Sequence, residues 1–201
     1  MIRIGLTGSM ATGKTTVLAE FAALGAATVS ADDIVHRLYR GDAVAPLEKT
    51  FPGVVADGAV DRTALSHALA KNPARLAELE AIVHPMVRDE IARFLAAAEA
   101  RGDELAVVEV PLLFEAGHDY GFDTVVVTAC DPEIQRRRIL ERSGMTVDKL
   151  EALLARQLPQ AEKKRRADHV VDTSTSLAAT REQVRALVAA LKDRSLGSRE
   201  A

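Results

Sequence analysis

The stretch that decides the fold is Gly8-Ser9-Met10-Ala11-Thr12-Gly13-Lys14-Thr15, which matches the pattern G-x-x-x-x-G-K-[ST] without a gap. A short apolar run, residues 2–7, precedes it, and a helical pattern from residue 14 to about residue 24 follows. In such a loop the glycines let successive backbone N–H groups turn onto phosphate, and the helix N-terminus adds a positive dipole. The sequence therefore predicts a strand–loop–helix unit that binds a nucleoside triphosphate.

The residue types in this loop indicate the ligands that it binds. Lys14 supplies a positive charge for the β- and γ-phosphates, and the Thr15 hydroxyl supplies a ligand for Mg²⁺. We expect ATP and Mg²⁺ as cofactors, bound by Gly8, Ser9, Met10, Ala11, Thr12, Gly13, Lys14, Thr15 and Thr16. The alternative is a chance glycine-rich turn, which the spacing and the flanking elements argue against. The loop does not identify the phosphate acceptor, because GTPases, motor ATPases and small-molecule kinases all carry it.

The rest of the chain predicts an α/β fold with a parallel sheet of about five strands flanked by helices. Further short apolar runs predict strands at residues 26–30, 105–110, 124–129 and 169–171. The pattern between residues 32 and about 100 is mostly helical, and we expect an interruption at His84-Pro85. Asp131 is a plausible helix cap before Pro132. We predict a core from residues 1–31, 104–134 and 167–195, a mostly helical insertion over 32–103, and a helical lid over 135–166.

Composition narrows the class of protein. The chain has 201 residues, of which 48% are apolar and 27% charged, as in ordinary soluble globular proteins. A net charge of −3 argues against a general nucleic-acid coat protein. No apolar stretch reaches the roughly 18–20 residues that span a bilayer, and no signal-peptide pattern is present. We expect no nucleic-acid, membrane or obligate protein partner. The only cysteine, Cys130, suits the cytoplasm and is expected to be buried at a strand end.

Carboxylates follow two of the predicted strands. The carboxyl ends of the strands of an open α/β sheet line its ligand crevice, so Asp32 or Asp33 could take a proton from an attacking hydroxyl or help to hold Mg²⁺. The alternative is that one of them only caps the next helix. Glu109, at the end of another strand, is either close to the metal or a solvated acid.

Further candidate residues lie in the helical segments. His84 with Arg88, one turn later, is either a helix boundary with a surface histidine or a polar contact to an acceptor. Arg138 and Arg142 share one helical face and would stabilise charge on the transferred phosphate if their segment closes over it. The alternative for these arginines, and for Arg156 in the same basic segment, is a solvated helix face.

Taken together, these pieces resemble the dephospho-coenzyme A kinase family over roughly residues 2–190. The His-Pro and Pro-Leu-Leu-Phe-Glu pieces are the more specific ones, and the phosphate loop is generic. The matching pieces are Gly5-Leu6-Thr7-Gly8, Ala31-Asp32, His84-Pro85, Val110-Pro111-Leu112-Leu113-Phe114-Glu115, Gln135 with Arg138 and Arg142, Gln157, Ala167-Asp168 and Val171-Asp172.

The resemblance implies a reaction and a set of roles. The family transfers the γ-phosphate of ATP to the ribose 3′-hydroxyl of dephospho-CoA, the last step of coenzyme A synthesis, and its helical insertion binds the CoA substrate. Asp32 is then the expected base, and Lys14, Arg138 and Arg142 the other catalytic residues. The expected acceptor-binding residues are Asp32, His84, Pro85, Arg88, Pro111, Leu113, Phe114 and Glu115.

Three positions depart from the family pattern. Ser30 stands where the family commonly has an aspartate, Ser143 where the lid often has one, and Thr173 where the fifth strand is often followed by an asparagine. Because Ser30 replaces the first aspartate of the family pattern, Asp32 is favoured over Asp33 as the functional carboxylate. Because Thr173 replaces asparagine, an amide contact to adenine is not expected. A nucleoside or nucleotide kinase is the nearest rival. A GTP-dependent switch is disfavoured because no Asn-Lys-x-Asp stretch occurs.

Overall fold

The computed structural model describes residues 1–155 and 157–197, so Arg156 lies outside the described residues. Its strands are β1 (Ile2–Gly8), β2 (Ala27–Ser30), β3 (Val55–Ala56), β4 (Ala59–Val60), β5 (Leu105–Glu109), β6 (Thr124–Ala129) and β7 (His169–Asp172). Five of them form one sheet in the order β2-β5-β1-β6-β7. β1 pairs in parallel with β5 and with β6, and β6 pairs in parallel with β7. The predicted fold class is confirmed.

Helices connect most of these strands along the chain. They are α1 (Lys14–Ala23), α2 (Ala31–Leu38), α3 (Val44–Thr50), α4 (Arg62–Lys71), α5 (Leu76–Ala100), α6 (Leu113–Ala116), α7 (Pro132–Leu140), α8 (Val147–Leu154), α9 (Gln160–Arg166) and α10 (Leu177–Gly197). α7 begins as predicted, since the Asp131 carboxylate accepts the N–H groups of Glu133 and Ile134 at 2.8 and 3.3 Å. Among the described residues, no helix has the length and apolarity needed to cross a membrane.

The central strands are apolar because helices cover both faces of a parallel sheet. Every residue of β5 is buried. The main core cluster joins β1, β5, β6 and β7 to one side of α1 and α10, through residues that include Ile4, Phe21, Val107, Val126 and Val184. β1 is thereby fixed at the centre of the sheet, and the phosphate loop leaves its carboxyl end.

The chain divides into two compact units. The first contains Met1–Val29 and the chain from Leu95 onward, and the second is Ser30–Phe94. Within the second unit, Ile34, Leu47, Phe51 and Ile91 are almost fully buried. The Arg75 guanidinium lies 4.3 Å from the centre of the Phe51 ring. This unit overlaps the predicted insertion, 32–103, whose exact bounds, like those of the lid, stay a prediction.

Two local expectations for the second unit were wrong or incomplete. His84-Pro85 does not interrupt the helix, since α5 runs from Leu76 to Ala100 with Pro85 inside it. Proline removes one hydrogen bond, but the helix formers farther away on both sides, residues 76–81 before it and Met86 and Arg88 after it, continue the helix. The antiparallel pair β3–β4 was not predicted, although its turn residues Asp57 and Gly58 both have positive φ. An Asp-Gly pair is a strong hairpin signal, and it was available in the sequence.

Candidate active site

Gly8 and Gly13 give the phosphate loop its path. Gly8 has φ +153°, and a Cβ there would lie 2.3 Å from Thr128 Oγ1 and 2.7 Å from the Thr128 carbonyl oxygen. Gly13, with φ +86°, lies at the N-terminus of α1 in a conformation that side chains rarely adopt. The loop therefore needs glycine at both ends, as the sequence pattern predicted.

Hydrogen bonds inside the loop hold its backbone. Thr12 Oγ1 donates to the Ser9 carbonyl at 2.8 Å and lies 2.7 Å from Thr128 Oγ1 on β6. Lys14 Nζ donates to the carbonyl oxygens of Gly8 and Ser9 at 3.0 and 3.3 Å. Ser9 and Thr12 are almost completely buried. The Thr12 side chain and the Ser9 carbonyl thus support the loop backbone.

A cavity of ≈ 450 Å³ opens at the N-terminus of α1. The first N–H groups of a helix have no intrahelical partner, so this end favours an anion such as phosphate. The loop contributes Ala11, Gly13, Lys14, Thr15 and Thr16 to the lining, and the rest of the chain contributes Arg138, Arg142, Thr173, Thr175, Leu177 and Thr180. The structure thus brings the predicted loop lysine and both predicted arginines to one cavity.

Arg138 is held in place by the chain segment that follows β7. Its Nη2 donates to the Thr173 carbonyl at 2.7 Å and its Nη1 to Thr173 Oγ1 at 3.2 Å. The Thr173 hydroxyl in turn donates to the Thr12 carbonyl at 2.9 Å. In the sequence, Thr173 stood out only as a departure from the family pattern. Its buried hydroxyl joins the arginine to the phosphate loop.

The peptide groups of Met10 are bound on both sides by glutamine side chains. The Met10 N–H donates to Gln157 Oε1 at 3.0 Å, and the Met10 carbonyl accepts from Gln135 Nε2 at 2.8 Å. Both glutamines belong to the pieces that resemble the family, but the sequence predicted no contact for either of them. Their partners lie more than 120 residues away in the chain, so no local pattern could reveal the pairing.

The predicted acceptor segment, residues 111–115, is attached to the same unit. The Thr7 hydroxyl donates to the Pro111 carbonyl at 3.3 Å. Leu113 is buried at 7% exposure, whereas its neighbour Leu112 is 44% exposed. The Phe114 ring lies 6.0 Å from the Arg166 guanidinium. Glu115 bonds to protein groups, with Oε1 accepting the Leu158 N–H at 2.8 Å and lying 2.9 Å from Lys163 Nζ.

The remaining candidates belong to the second unit. Asp32 and Asp33 are exposed in the first turn of α2, and the Ser30 hydroxyl caps this helix by accepting the Asp32 N–H at 3.2 Å. Neither aspartate is the cap, so that alternative was wrong. On α5, His84 and Pro85 are exposed and Arg88 is half-buried. His84 and Arg88 are four residues apart and therefore share one face of the helix.

Two further groups bear on chemistry. Glu109 is buried at the end of β5, so the solvated alternative was wrong. Cys130 is buried directly after β6, as predicted, and burial raises the pKa of its thiol while the nearby Arg138 charge opposes that shift. No group of three or more His, Cys, Asp or Glu side chains suited to a metal occurs in 1–155 and 157–197.

Comparison with known proteins identifies relatives that match nearly the whole chain. The family model described as dephospho-CoA kinase matches residues 2–179. A dephospho-CoA kinase of Rhizobium meliloti (strain 1021) is 49% identical over 188 residues, which cover 94% of this chain and 97% of the relative.

Solved structures match as well. A Thermus thermophilus structure has a TM-score of 0.80 at 34% identity, over 94% of this chain and 96% of that one. A dephospho-CoA kinase from Campylobacter jejuni has a TM-score of 0.68 at 25% identity, with the same coverage of both chains.

Proposed function

The chain belongs to the dephospho-CoA kinase family, and from this premise we propose how its residues divide the work of the reaction. The enzyme is a kinase that transfers phosphate from ATP to the ribose 3′-hydroxyl of dephospho-CoA, the final step of coenzyme A synthesis. One observation carries the assignment of roles: Lys14, Thr15, Arg138 and Arg142 line a single cavity at the N-terminus of α1.

The donor side of the reaction is assigned to this cavity. ATP phosphates accept hydrogen bonds from backbone N–H groups between Gly8 and Thr16, and Lys14 adds a positive charge. Arg138 and Arg142 stabilise the negative charge on the transferred phosphoryl group. Arg138 is suited to this task because Thr173 already fixes its guanidinium, so little reorganisation is needed during the reaction.

The Thr15 hydroxyl is the group assigned to Mg²⁺. Thr15 is exposed at the cavity and offers a hard oxygen donor. Such a donor fits an ion that takes most of its other ligands from substrate phosphates and water. When bound, the ion would neutralise part of the triphosphate charge.

The acceptor side is assigned to Asp32 and to the residues that the sequence predicted to contact the substrate. Asp32 takes the proton from the ribose 3′-hydroxyl while the oxygen of that hydroxyl bonds to the γ-phosphorus. The bond between the γ-phosphorus and the bridging oxygen of the β-phosphate breaks, which releases ADP. We assign His84, Pro85 and Arg88 to binding of dephospho-CoA, and Pro111, Leu113, Phe114 and Glu115 likewise.

The larger assignments follow from these roles. We propose that residues 32–103 are the CoA-binding insertion and that 135–166 act as a lid over ATP. We also propose that the enzyme works in the cytoplasm on its two small-molecule substrates without an obligate protein partner. Its one cysteine, buried and unpaired, supports a reducing compartment.

Replacing Asp32 tests the catalytic assignment. We expect Asp32→Asn to lower kcat by about 10²–10⁴-fold, the range for loss of a general base, with little change in ATP binding. Asp33→Asn is the matched control, because Asp33 is the adjacent exposed carboxylate in the same helical turn. Steady-state kinetics with dephospho-CoA, together with titration of an ATP analogue, would measure both effects. Near-normal turnover by Asp32→Asn would remove the base assignment.

A further inference from the structure

An ion pair between a fully buried lysine and a largely buried glutamate joins α9 to α6. The Lys163 side chain, in the first turns of α9, is 0% exposed, and its Nζ lies 2.9 Å from Glu115 Oε1. Among the described residues, neither Lys163 Nζ nor Glu115 Oε2 has a hydrogen bond of ordinary geometry. The contact is therefore an ion pair without hydrogen-bond alignment. A buried ion pair contributes little net stability, because desolvation of its charges offsets their attraction.

The Glu115 carboxylate also binds the turn before α9. Glu115 Oε1 also accepts the Leu158 N–H at 2.8 Å. Farther along the chain, the Gln160 side chain bonds both peptide groups of Cys130, at 2.7 Å and 2.8 Å. Gln160 thus anchors the start of α9 to the end of β6, and Glu115 anchors the residue two positions before that helix.

The residue next to this anchor contacts the phosphate loop. Gln157 Oε1 accepts the Met10 N–H at 3.0 Å. The route from Glu115 to the loop therefore contains one backbone hydrogen bond to Leu158, one peptide link to Gln157 and one side-chain hydrogen bond to Met10. Each of these groups lies in the first unit.

We propose that Glu115 is a positioning residue for the phosphate loop. By fixing Leu158, it keeps Gln157 in place to bind the Met10 N–H, and it thereby maintains the loop conformation that binds ATP. Glu115 belongs to the same short helix, α6, as Leu113 and Phe114 of the predicted acceptor segment. One carboxylate thus links the acceptor segment to the donor site, a role distinct from the direct substrate contact expected from the sequence.

A double-mutant cycle tests this proposal, which rests on the proposed binding of ATP at the loop. The dissociation constant of a non-hydrolysable ATP analogue would be measured for wild type, Glu115→Leu, which removes the acceptor of the Leu158 N–H, Gln157→Leu and the double variant. We expect each single change to weaken binding by about fivefold to twentyfold, the size of one or two lost hydrogen bonds. Because both changes act on the same contact, the double variant should stay within about twofold of the weaker single variant.

Several outcomes would overturn the proposal. They are wild-type affinity in either single variant, or a double variant whose loss exceeds the weaker single loss by more than about twofold. Glu20→Leu is the matched control, because Glu20 is an ion-paired glutamate of similar exposure whose carboxylate lies 2.8 Å from the Arg181 guanidinium. An equal loss of affinity in that control would also overturn the proposal.

Two precautions keep the test decisive. If Glu115→Leu does not fold because Lys163 loses its counter-charge, Glu115→Leu/Lys163→Met replaces it, since removing both charges of such a pair together is often tolerated. If wild type itself does not bind the analogue, the ATP assignment of the proposed function fails. If wild type binds but the cycle is additive, only the role of Glu115 fails.

Discussion

The Thr173 hydroxyl group connects Arg138 to the phosphate loop in the candidate active site. It is 5% exposed, it donates to the Thr12 carbonyl at 2.9 Å, and it accepts a hydrogen bond from Arg138. Its carbonyl accepts a second bond from the same guanidinium. The arginine and the phosphate loop are therefore both held by a residue that lies between them in the structure.

Removing this hydroxyl should impair catalysis. We expect Thr173→Val to lower kcat/KM for ATP by about tenfold to 100-fold, because Arg138 loses one partner and the buried Thr12 carbonyl loses a donor. Thr173→Ser keeps the hydroxyl and should stay within about threefold of wild type. Initial-rate kinetics well below the unfolding temperature would compare the two. Equal rates for the valine and serine variants would show that the hydroxyl positions nothing.

The buried Cys130 thiol should make the free energy of unfolding depend on pH. Burial raises the pKa of its thiol, so the native state holds this proton more tightly than the unfolded chain does. The resulting contribution to the free energy of unfolding is complete below the ordinary thiol pKa of about 8.5 and is lost as pH rises through the raised value. Urea unfolding of wild type and Cys130→Ala at pH 7.5 and pH 10 (about one unit below and one and a half units above that pKa) should show a larger loss of unfolding free energy in wild type. A difference between the two proteins that is the same at both pH values would contradict this.

Among the elements, α5 departs most from its sequence prediction. The helix continues through Pro85, which lacks the N–H that would donate to the Ala81 carbonyl. A proline inside a helix is unfavourable by as much as about 3 kcal/mol. Its presence on an exposed face, beside His84, is in keeping with the proposed contact to the acceptor.

Replacing this proline should stabilise the fold. We expect Pro85→Ala to raise the free energy of unfolding by about 1–3 kcal/mol, because the new N–H can complete the helical hydrogen bond. Chemical denaturation with an unchanged m-value would measure the gain. Unchanged or reduced stability would mean that the surrounding helix has already adapted to the proline.

The other elements show which strands and helix caps can be predicted from the sequence. Strands β1, β5, β6 and β7 were predicted almost to the residue, because buried parallel strands appear as short apolar runs between turn residues. The Asp131 cap was predicted for a similar reason, since capping chemistry is local. The β3–β4 hairpin was missed because each strand has only two residues, too few to alternate visibly, although the Asp57-Gly58 turn signal was present.

At the scale of the whole molecule, the sequence could not predict the order of the strands or the hydrogen bonds around the phosphate loop. The Thr12–Thr173 bond joins residues 161 positions apart, and Met10 is 147 positions from Gln157. Such pairs have no spacing that local periodicity can reveal. Lys14 and Thr15 belong to a fixed motif, so the sequence could propose them as site residues, and both line the cavity. The residues that support the loop follow no such motif.

The measurement that tests the central claim most directly is acceptor-dependent consumption of ATP by the purified protein. ATP and Mg²⁺ would be offered with dephospho-CoA, with a panel of nucleosides and nucleotides, or with no acceptor. The product would be identified by mass and by the position of its new phosphate. We predict stoichiometric ADP and coenzyme A, phosphorylated at the ribose 3′-hydroxyl, with dephospho-CoA alone among these acceptors. ATP consumption with a nucleoside or nucleotide and none with dephospho-CoA would contradict the account.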